Sequence, residues 1–570
     1  MALSTASLGA LTTSQINGLS TTAVSLLSAT LVSSLTTSQV AGMTTAGVAA
    51  LSKTQAGALT TAALAGLTTS GVAALTTTGL TGLTATKIGG LTTSSIAALT
   101  TSEIAILSAS ALAGLGTSNI AALSTSGVAA MSGAQVAGLS TGELAAMTTA
   151  DVAALTTTGV AGLAATKIAG LTTSAIAALT TSDVGALSAS VLGGLGTSNV
   201  AALTTSSVGA LTATQAGGLT STELAALTTS AVAGLTTAGV FGLGATKIAG
   251  LGTSNVAALT TSDIGALGAA QVGALSSSEL AALTTSNVAA LSTTALVGLS
   301  ATKIGGLTTS GIAALTTSEL AALSVSSLAG LGTSNIAALS TSALAALSAT
   351  QIAGLSTGEL AALTTSGVAA LTTGAIHGLA ATKIAGLTTS ALAALTTSDV
   401  AALAATALAG LGTSNVAALT TSSLGALTAT QSGGLSSSEL AALTTSAVAA
   451  LTTGAVAGLA ATRIGGLGTS NVAALTTSDL GGLVAAQVGA LSSSELAALT
   501  TSNVAALTTT GIHGLTASNI QGLTTSAVAA LTTTQMYGLS SSAAVLTTSQ
   551  VAALGAVTNL TSVYLLIQGA

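Results

Sequence analysis

Leucine returns at every eighth position from Leu3 to Leu539, replaced only by Met43, Met131 and Met147. Five residues after most of these leucines stands Val, Ile or Leu, followed by two small residues, Ala or Gly. Between the two apolar anchors runs a Thr/Ser-rich stretch. The octad therefore reads Leu-[Thr/Ser/Gly/Ala]-[Thr/Ser/Ala]-[Ser/Thr]-x-[Val/Ile/Leu]-[Ala/Gly]-[Ala/Gly]. No insertion or deletion breaks the period, and a lost residue would throw every later side chain out of phase. Such an array behaves as a one-dimensional stack, each unit burying its apolar face on its neighbours.

Leu315-Thr316-Thr317-Ser318-Glu319-Leu320-Ala321-Ala322-Leu323 shows the local logic. Thr316 and Glu319 have the spacing of a capping box, and a carboxylate three residues into a helix suits its dipole. Leu320 and Leu323 fall on one helical face, and the alanines between them are good helix formers. The pattern predicts one helix of about two turns per octad, too short to survive alone in water and so dependent on stacking. The alternative is a β-solenoid with one octad per face. Against it, anchors five residues apart would point to opposite sides of a straight strand. The predicted fold class is all-α, a superhelical solenoid of very short helices.

Longer rhythms overlie the octad. Lys87, Lys167, Lys247, Lys303, Lys383 and Arg463 all occupy its fifth position. Asn119, Asn199 and Asn255 recur twenty-seven octads later as Asn335, Asn415 and Asn471. Most of the chain is thus a duplicated block. Glycine at the eighth position forms runs stepped by three octads, such as Gly90, Gly114, Gly138 and Gly162. That step predicts about three octads per superhelical turn, and the glycine stripe predicts a surface where another backbone comes close.

Lysine near a helix N-terminus calls for an acidic partner. Glu143, Glu223, Glu279, Glu359 and Glu439 lie three octads before Lys167, Lys247, Lys303, Lys383 and Arg463, which predicts ion pairs between successive turns. Acids two octads after each base would instead fit a two-octad turn; the glycine step favours three. The plainer alternative is that all these charges are solvated and contribute little.

Composition narrows the function. The chain of 570 residues is 49% hydrophobic but only 1% aromatic, with no Pro or Cys, so its core is built from small aliphatic side chains and holds no disulfide or thiolate site. Charged residues make up 4% and the net charge is −6, without the clustered Lys and Arg that nucleic acid needs. Mean hydropathy of +0.87 argues against disorder. Yet Thr/Ser clusters interrupt every apolar run before the roughly 20 residues a membrane span needs. The N-terminus lacks the basic region of a secretory signal. His377 and His513 stand alone at the seventh octad position, as do Phe241 and Tyr537, and no base adjoins a candidate Ser or Thr nucleophile. The acids are too dilute for an oxygen cage around calcium, and no phosphate-binding loop is present. No catalytic residue, metal site or cofactor is expected.

The ends depart from the pattern. Leu26 and Leu31 add bulk at positions that are otherwise small or polar, which predicts capping repeats over residues 1–50, followed by the solenoid over 51–538. After Leu539 one residue is dropped and Leu546 restarts the period. Residues 539–570 read as a cap, a subunit-joining element or a secretion segment.

The octads Leu35-Thr36-Thr37-Ser38-Gln39-Val40-Ala41-Gly42 and Leu11-Thr12-Thr13-Ser14-Gln15-Ile16 resemble the Leu-Thr-Thr-x-Gln-Ile-x-Ala-type repeats of large bacterial secreted or surface proteins. The resemblance spans nearly the whole chain, although Glu, Asp, Asn, Lys or Ala often replaces Gln. It implies a structural role outside the cell or at its surface, with export by a route that does not read a classical N-terminal signal. The expected function is a non-enzymatic subunit that associates with its own copies into a filament, sheath or surface layer. The alternatives are an ice-binding protein with periodic Thr rows and an adhesin stalk.

Overall fold

The computed structural model describes residues 4–539 and 545–555. It divides into two compact units, Met1–Gly298 and Leu299–Ala570. Among the described residues there are helices and turns but no strand, so the β-solenoid alternative falls and the all-α solenoid stands.

Each octad folds by its own capping chemistry. In Leu315–Leu323 the helix is Thr317–Ala322, preceded by the N-cap Thr316 in extended conformation. The Thr316 hydroxyl accepts from the Glu319 N–H at 3.3 Å, and Glu319 Oε2 accepts from the Thr316 N–H at 2.6 Å. Two of the helix's orphan donors are thereby satisfied, worth about 1 kcal/mol for such a cap. Leu323 closes the helix at φ −64°, ψ 138° and turns the corner into the next N-cap. Because the leucine and the N-cap are both extended, nearly all helices are four to six residues long, shorter than the two turns the pattern suggests.

Within each unit every helix packs on the helix three octads further along. Ala109–Ala113 lies against Gly133–Gly138, which lies in turn against Thr157–Val160. In the second unit Thr333–Ala338 lies against Thr357–Ala362, and Thr397–Ala402 against Thr421–Gly425. One turn therefore takes three octads, and the helices of each unit form three columns. The two-octad turn suggested by the acids that follow each base is not realised.

The core is the stack of first and sixth positions. Leu139 and Leu144 are fully buried, and their counterparts from Leu51 to Leu539 are buried as well, whereas Leu11, Leu19 and Met43 near the N-terminus are half-buried. Each such side chain contributes about 1.5–3 kcal/mol of burial. Octad positions two to four face solvent. Near the N-terminus the helices from Thr5–Gly9 onward follow the same octad. Leu26 there is 79% exposed, while Leu31 is half-buried. At the other end the dropped residue shows in the spacing of the inter-turn bonds. Gln550 donates to Leu523 O, whereas Gln535 donates to Leu507 O, one position further back along the chain. Of the segment 539–570 read as a cap, subunit-joining element or secretion segment, residues 540–544 and 556–570 lie outside the described residues.

Candidate functional site

The chemistry of this molecule is concentrated at the fifth octad position. It is the third residue of the helix, and its side chain turns inward beside the sixth-position core residue. Two backbone demands meet there. The N-cap N–H of the same octad needs an acceptor. The carbonyls closing a helix of the preceding turn need a donor.

Glutamine meets both. Gln135 Oε1 accepts from Ser132 N–H at 2.7 Å, while Nε2 donates to Ile104 O and Leu107 O, each at 2.8 Å. Gln215 and Gln431 repeat the arrangement on Leu187 O and Leu403 O, both at 2.7 Å. These side chains are 3–6% exposed. A staple of this kind satisfies buried groups that would otherwise each cost about 1–3 kcal/mol.

Acids meet only the first demand. All 13 Asp and Glu are buried, none more than 5% exposed, so the reading of solvated surface charges is overturned for the acids. Each is at the third helix position, where the N-terminal dipole and the N-cap hydroxyl favour a carboxylate. Asp183, for example, accepts from Thr180 N–H at 3.0 Å and Thr180 Oγ1 at 2.6 Å. The second oxygen of an Asp can take a threonine hydroxyl of the preceding turn, as Asp399 Oδ1 does from Thr373 at 3.1 Å.

Five of the eight glutamates use a further device. Gly116, Gly196, Gly252, Gly332, Gly412 and Gly468 are the described glycines with positive φ, all between 73° and 80°. Each precedes a buried glutamate by the same interval, three octads and three positions. The glutamates are Glu143, Glu223, Glu279, Glu359, Glu439 and Glu495. Gly196 N–H donates to Glu223 Oε1 at 2.8 Å and Gly412 N–H to Glu439 Oε1 at 2.9 Å, with the same bond at Gly116, Gly252 and Gly468. Glu359 Oε1 is buried without a hydrogen-bond partner. Gly116 has φ 79°, ψ 167°, where an ordinary N-cap such as Ser108 has φ −66°, ψ 152°. With ψ nearly unchanged, the difference in φ turns over the preceding peptide plane. The N–H then faces the next turn in place of the leucine carbonyl. That region of φ and ψ is essentially closed to residues with a Cβ. Gly244 supplies a comparison within the chain. Its φ is −65°, and the residue at the same interval beyond it is Gln271, whose Nε2 donates to Leu243 O at 2.6 Å. Of these two kinds of glycine N-cap, the one followed by a glutamate has its peptide turned over and the one followed by a glutamine does not.

Bases meet only the second demand. Lys167 Nζ donates to Ala137 O at 2.7 Å, Lys383 Nζ to Leu355 O at 2.5 Å, and Lys87 and Lys247 to Gly57 O and Gly217 O. Arg463 Nη1 reaches Gly433 O, Gly434 O and Leu435 O at 2.9–3.1 Å. These carbonyls close a helix of the preceding turn and carry the negative end of its dipole. A base at this position thus finds its complement in the backbone. Lys303 occupies the same octad position, half-buried like the other five bases there; Lys53 alone is exposed. The octads with a base lose their side-chain cap, as at Thr84 and Ser300.

For the predicted pairs Glu143–Lys167, Glu223–Lys247 and Glu439–Arg463, the hydrogen bonds just described lead each partner to the preceding turn, and in Glu359–Lys383 Glu359 Oε2 accepts from its own N-cap Ser356 N–H at 2.8 Å while Lys383 donates to the preceding turn. Glu279 likewise holds Ser276 N–H at 2.8 Å.

The glycine stripe lies where turns meet most closely. A Cβ at Gly114 would stand 2.5 Å from Ala85 Cα, and one at Gly162 would stand 2.5 Å from Gly133 Cα. At Gly90 and Gly138 it would lie 2.7 Å from Thr61 O and 3.0 Å from Ala109 O. The approaching backbone is the chain's own preceding turn. Among the remaining candidates, His377 is exposed with Nδ1 2.9 Å from Ala402 O, and Phe241 and Tyr537 are 66% and 65% exposed. Among the described residues no group of three or more His, Cys, Asp or Glu could hold a metal ion, and no helix is long and apolar enough to cross a membrane.

A helical solenoid of capped octads, with its polar chemistry turned into the stack, defines an octapeptide-repeat protein. Four stretches, residues 176–213, 256–293, 328–365 and 472–509, match the ALTTAQ repeat family. No curated protein matches the chain.

Proposed function

We propose that this chain is a non-enzymatic structural protein whose copies associate into an extracellular filament, sheath or surface layer. The observation that carries this reading is the burial of every acidic side chain. Six of the seven bases are half-buried as well. The outward face is left with hydroxyls, methyls and glycine, and with almost no charge to keep copies apart. Surfaces near charge neutrality favour association. The match to a repeat family and the absence of any assembled polar cluster at the described surface agree with a role in structure.

Electron microscopy of the purified full-length chain tests this. A variant carrying Ser318→Glu, Ser334→Glu and Ser398→Glu places one exposed carboxylate on each column of the second unit. The glutamates sit in the first helical turn, where they suit the dipole. Polymers or sheets from the parent chain, and separate chains from the variant, support the proposal. Separate chains from both remove it.

A second reading rests on the exposed Thr and Ser at octad positions two to four, which recur turn after turn in each column. Such a weakly charged hydroxyl surface could order water at ice. Thermal hysteresis from unassembled chains would favour this reading over the first.

A further inference from the structure

In a stack of near-identical octads, the register between turns is poorly defined. Sliding one turn by a single octad puts leucine on leucine and cap on cap, so the apolar core barely resists it. We propose that the five hydrogen-bonded glycine–glutamate pairs, each read together with the glutamine one octad earlier, are register keys that select one alignment of successive turns.

The argument rests on a donor–acceptor code. Glu143 is preceded by Gln135, Glu223 by Gln215, Glu279 by Gln271, Glu359 by Gln351, Glu439 by Gln431 and Glu495 by Gln487, always by one octad. Adjacent octads thus present an amide donor and then a carboxylate acceptor. The turn beneath presents the complements in the same order. Leu107 O lies under Gln135, and the turned-over Gly116 N–H lies under Glu143.

A one-octad slip sets Gln135 above Gly116, donor against donor. It sets Glu143 above Leu123–Ser124, where Ser124 has the ordinary φ of −72° and offers no turned-over N–H, so the carboxylate loses its inter-turn donor. The opposite slip sets Glu143 above Leu107–Ser108, where Ser108 has φ −66° and the same donor is lost. Buried groups cannot turn to water for relief.

The placement of the keys supports the same role. Successive keys in the first unit, at Gly116, Gly196 and Gly252, are ten and then seven octads apart. With three octads per turn each step moves to another column, so the unit has one key in each of its three columns. Gly332, Gly412 and Gly468 recur at the same spacing in the second unit, where Gly412 and Gly468 make the bond and Gly332 has the positive φ without it. A slip in any column of the first unit meets a key.

The chain has no cysteine, so engineered pairs can report register. A Cβ built on Gly142 lies 3.7 Å from Thr117 Cγ2, across the first key, which suits a disulfide between Thr117→Cys and Gly142→Cys. The pair Thr117→Cys with Ala134→Cys matches the slipped alignment. Each pair is introduced into the full chain and into a keyless chain with Gly116, Gly196 and Gly252 changed to Ser and Glu143, Glu223 and Glu279 changed to Gln. In the keyless chain every site keeps the Ser-over-Gln chemistry already present at Ser108 and Gln135.

After oxidative refolding, the keyed chain is expected to form the 117–142 bond alone. The keyless chain is expected to form both the 117–142 and the 117–134 bond. A keyless chain that refolds only to 117–142 overturns the proposal. The local chemistry is tested by Gly116→Ala and Glu143→Gln. Each alone should weaken hydrogen-exchange protection around residues 115–146, and the double variant should recover it. A double variant worse than either single one shows that the pairing is not as described.

Discussion

Two glycine-to-alanine substitutions of identical chemistry should shift stability in opposite directions. Gly185 lies inside the helix Thr181–Ala186, and a Cβ built there meets nothing within 4 Å. Alanine at this site removes conformational freedom from the unfolded chain and improves helix propensity, a gain of about 0.5–1 kcal/mol. Gly114 has φ −83°, ψ −7°, a conformation alanine adopts freely, so backbone strain plays no part. Its Cβ, however, would stand 2.5 Å from Ala85 Cα on the preceding turn. Carbon atoms settle about 3.5–4.0 Å apart, so the two turns must separate by roughly 1 Å or more. Overpacking of this kind costs about 1–3 kcal/mol, and the separation spreads along a backbone that cannot rotate out of the way.

The difference between the two variants is then about 1.5–4 kcal/mol, on the order of a 10- to several-hundred-fold difference in local opening. Global unfolding is a poor readout, because long repeat arrays unfold in parts. Native-state hydrogen exchange is the appropriate assay. Protection should fall for the helices Ala85–Ile88 and Ala109–Ala113 in Gly114→Ala, and rise within Thr181–Ala186 in Gly185→Ala. Equal effects of the two substitutions would refute the claim that the glycine stripe exists for backbone approach.

Gln135→Leu leaves Ser132 N–H, Ile104 O and Leu107 O without their side-chain partner. It should cost about 2–4 kcal/mol, seen as local loss of exchange protection with the overall helix signal retained. Leu144→Ala empties a fully buried core position and should cost about 2–5 kcal/mol by the same measurement. Inter-turn attraction between Glu143 and Lys167 stands as a proposal, checked by a double-mutant cycle of Glu143→Gln and Lys167→Met. A coupling above about 0.5 kcal/mol supports it, and additive effects remove it. Since so little charge reaches the surface, any assembly should persist essentially unchanged from low to high salt. Dissolution by salt, followed by light scattering, would contradict an association between neutral surfaces.

Much of the fold is legible in the octad itself. The Thr316–Glu319 spacing announces a cap, the Leu and Val/Ile/Leu anchors define the buried face, and the three-octad glycine step gives the length of a turn. These features are local, or repeat so often that they act as local ones, and so they survive in a one-dimensional reading. The same sequence suggested surface charges or ion pairs for Glu143 and Lys167. Burial belongs to the stack, and nothing within one octad says that its fifth position points inward.

Only the tertiary structure places the Gly116 N–H under Glu143 and Leu107 O under Gln135. Positions so far apart in the chain meet only once three octads close a turn. A co-occurrence was present in the sequence as six glycines, each followed at one fixed interval by a glutamate. It acquires meaning only when positive φ turns over a peptide in one turn to satisfy a carboxylate in the next. The sequence by itself thus determines the helix, its cap and its period. The alignment of turns is decided in three dimensions, because buried donors and acceptors are matched across the stack rather than along the chain.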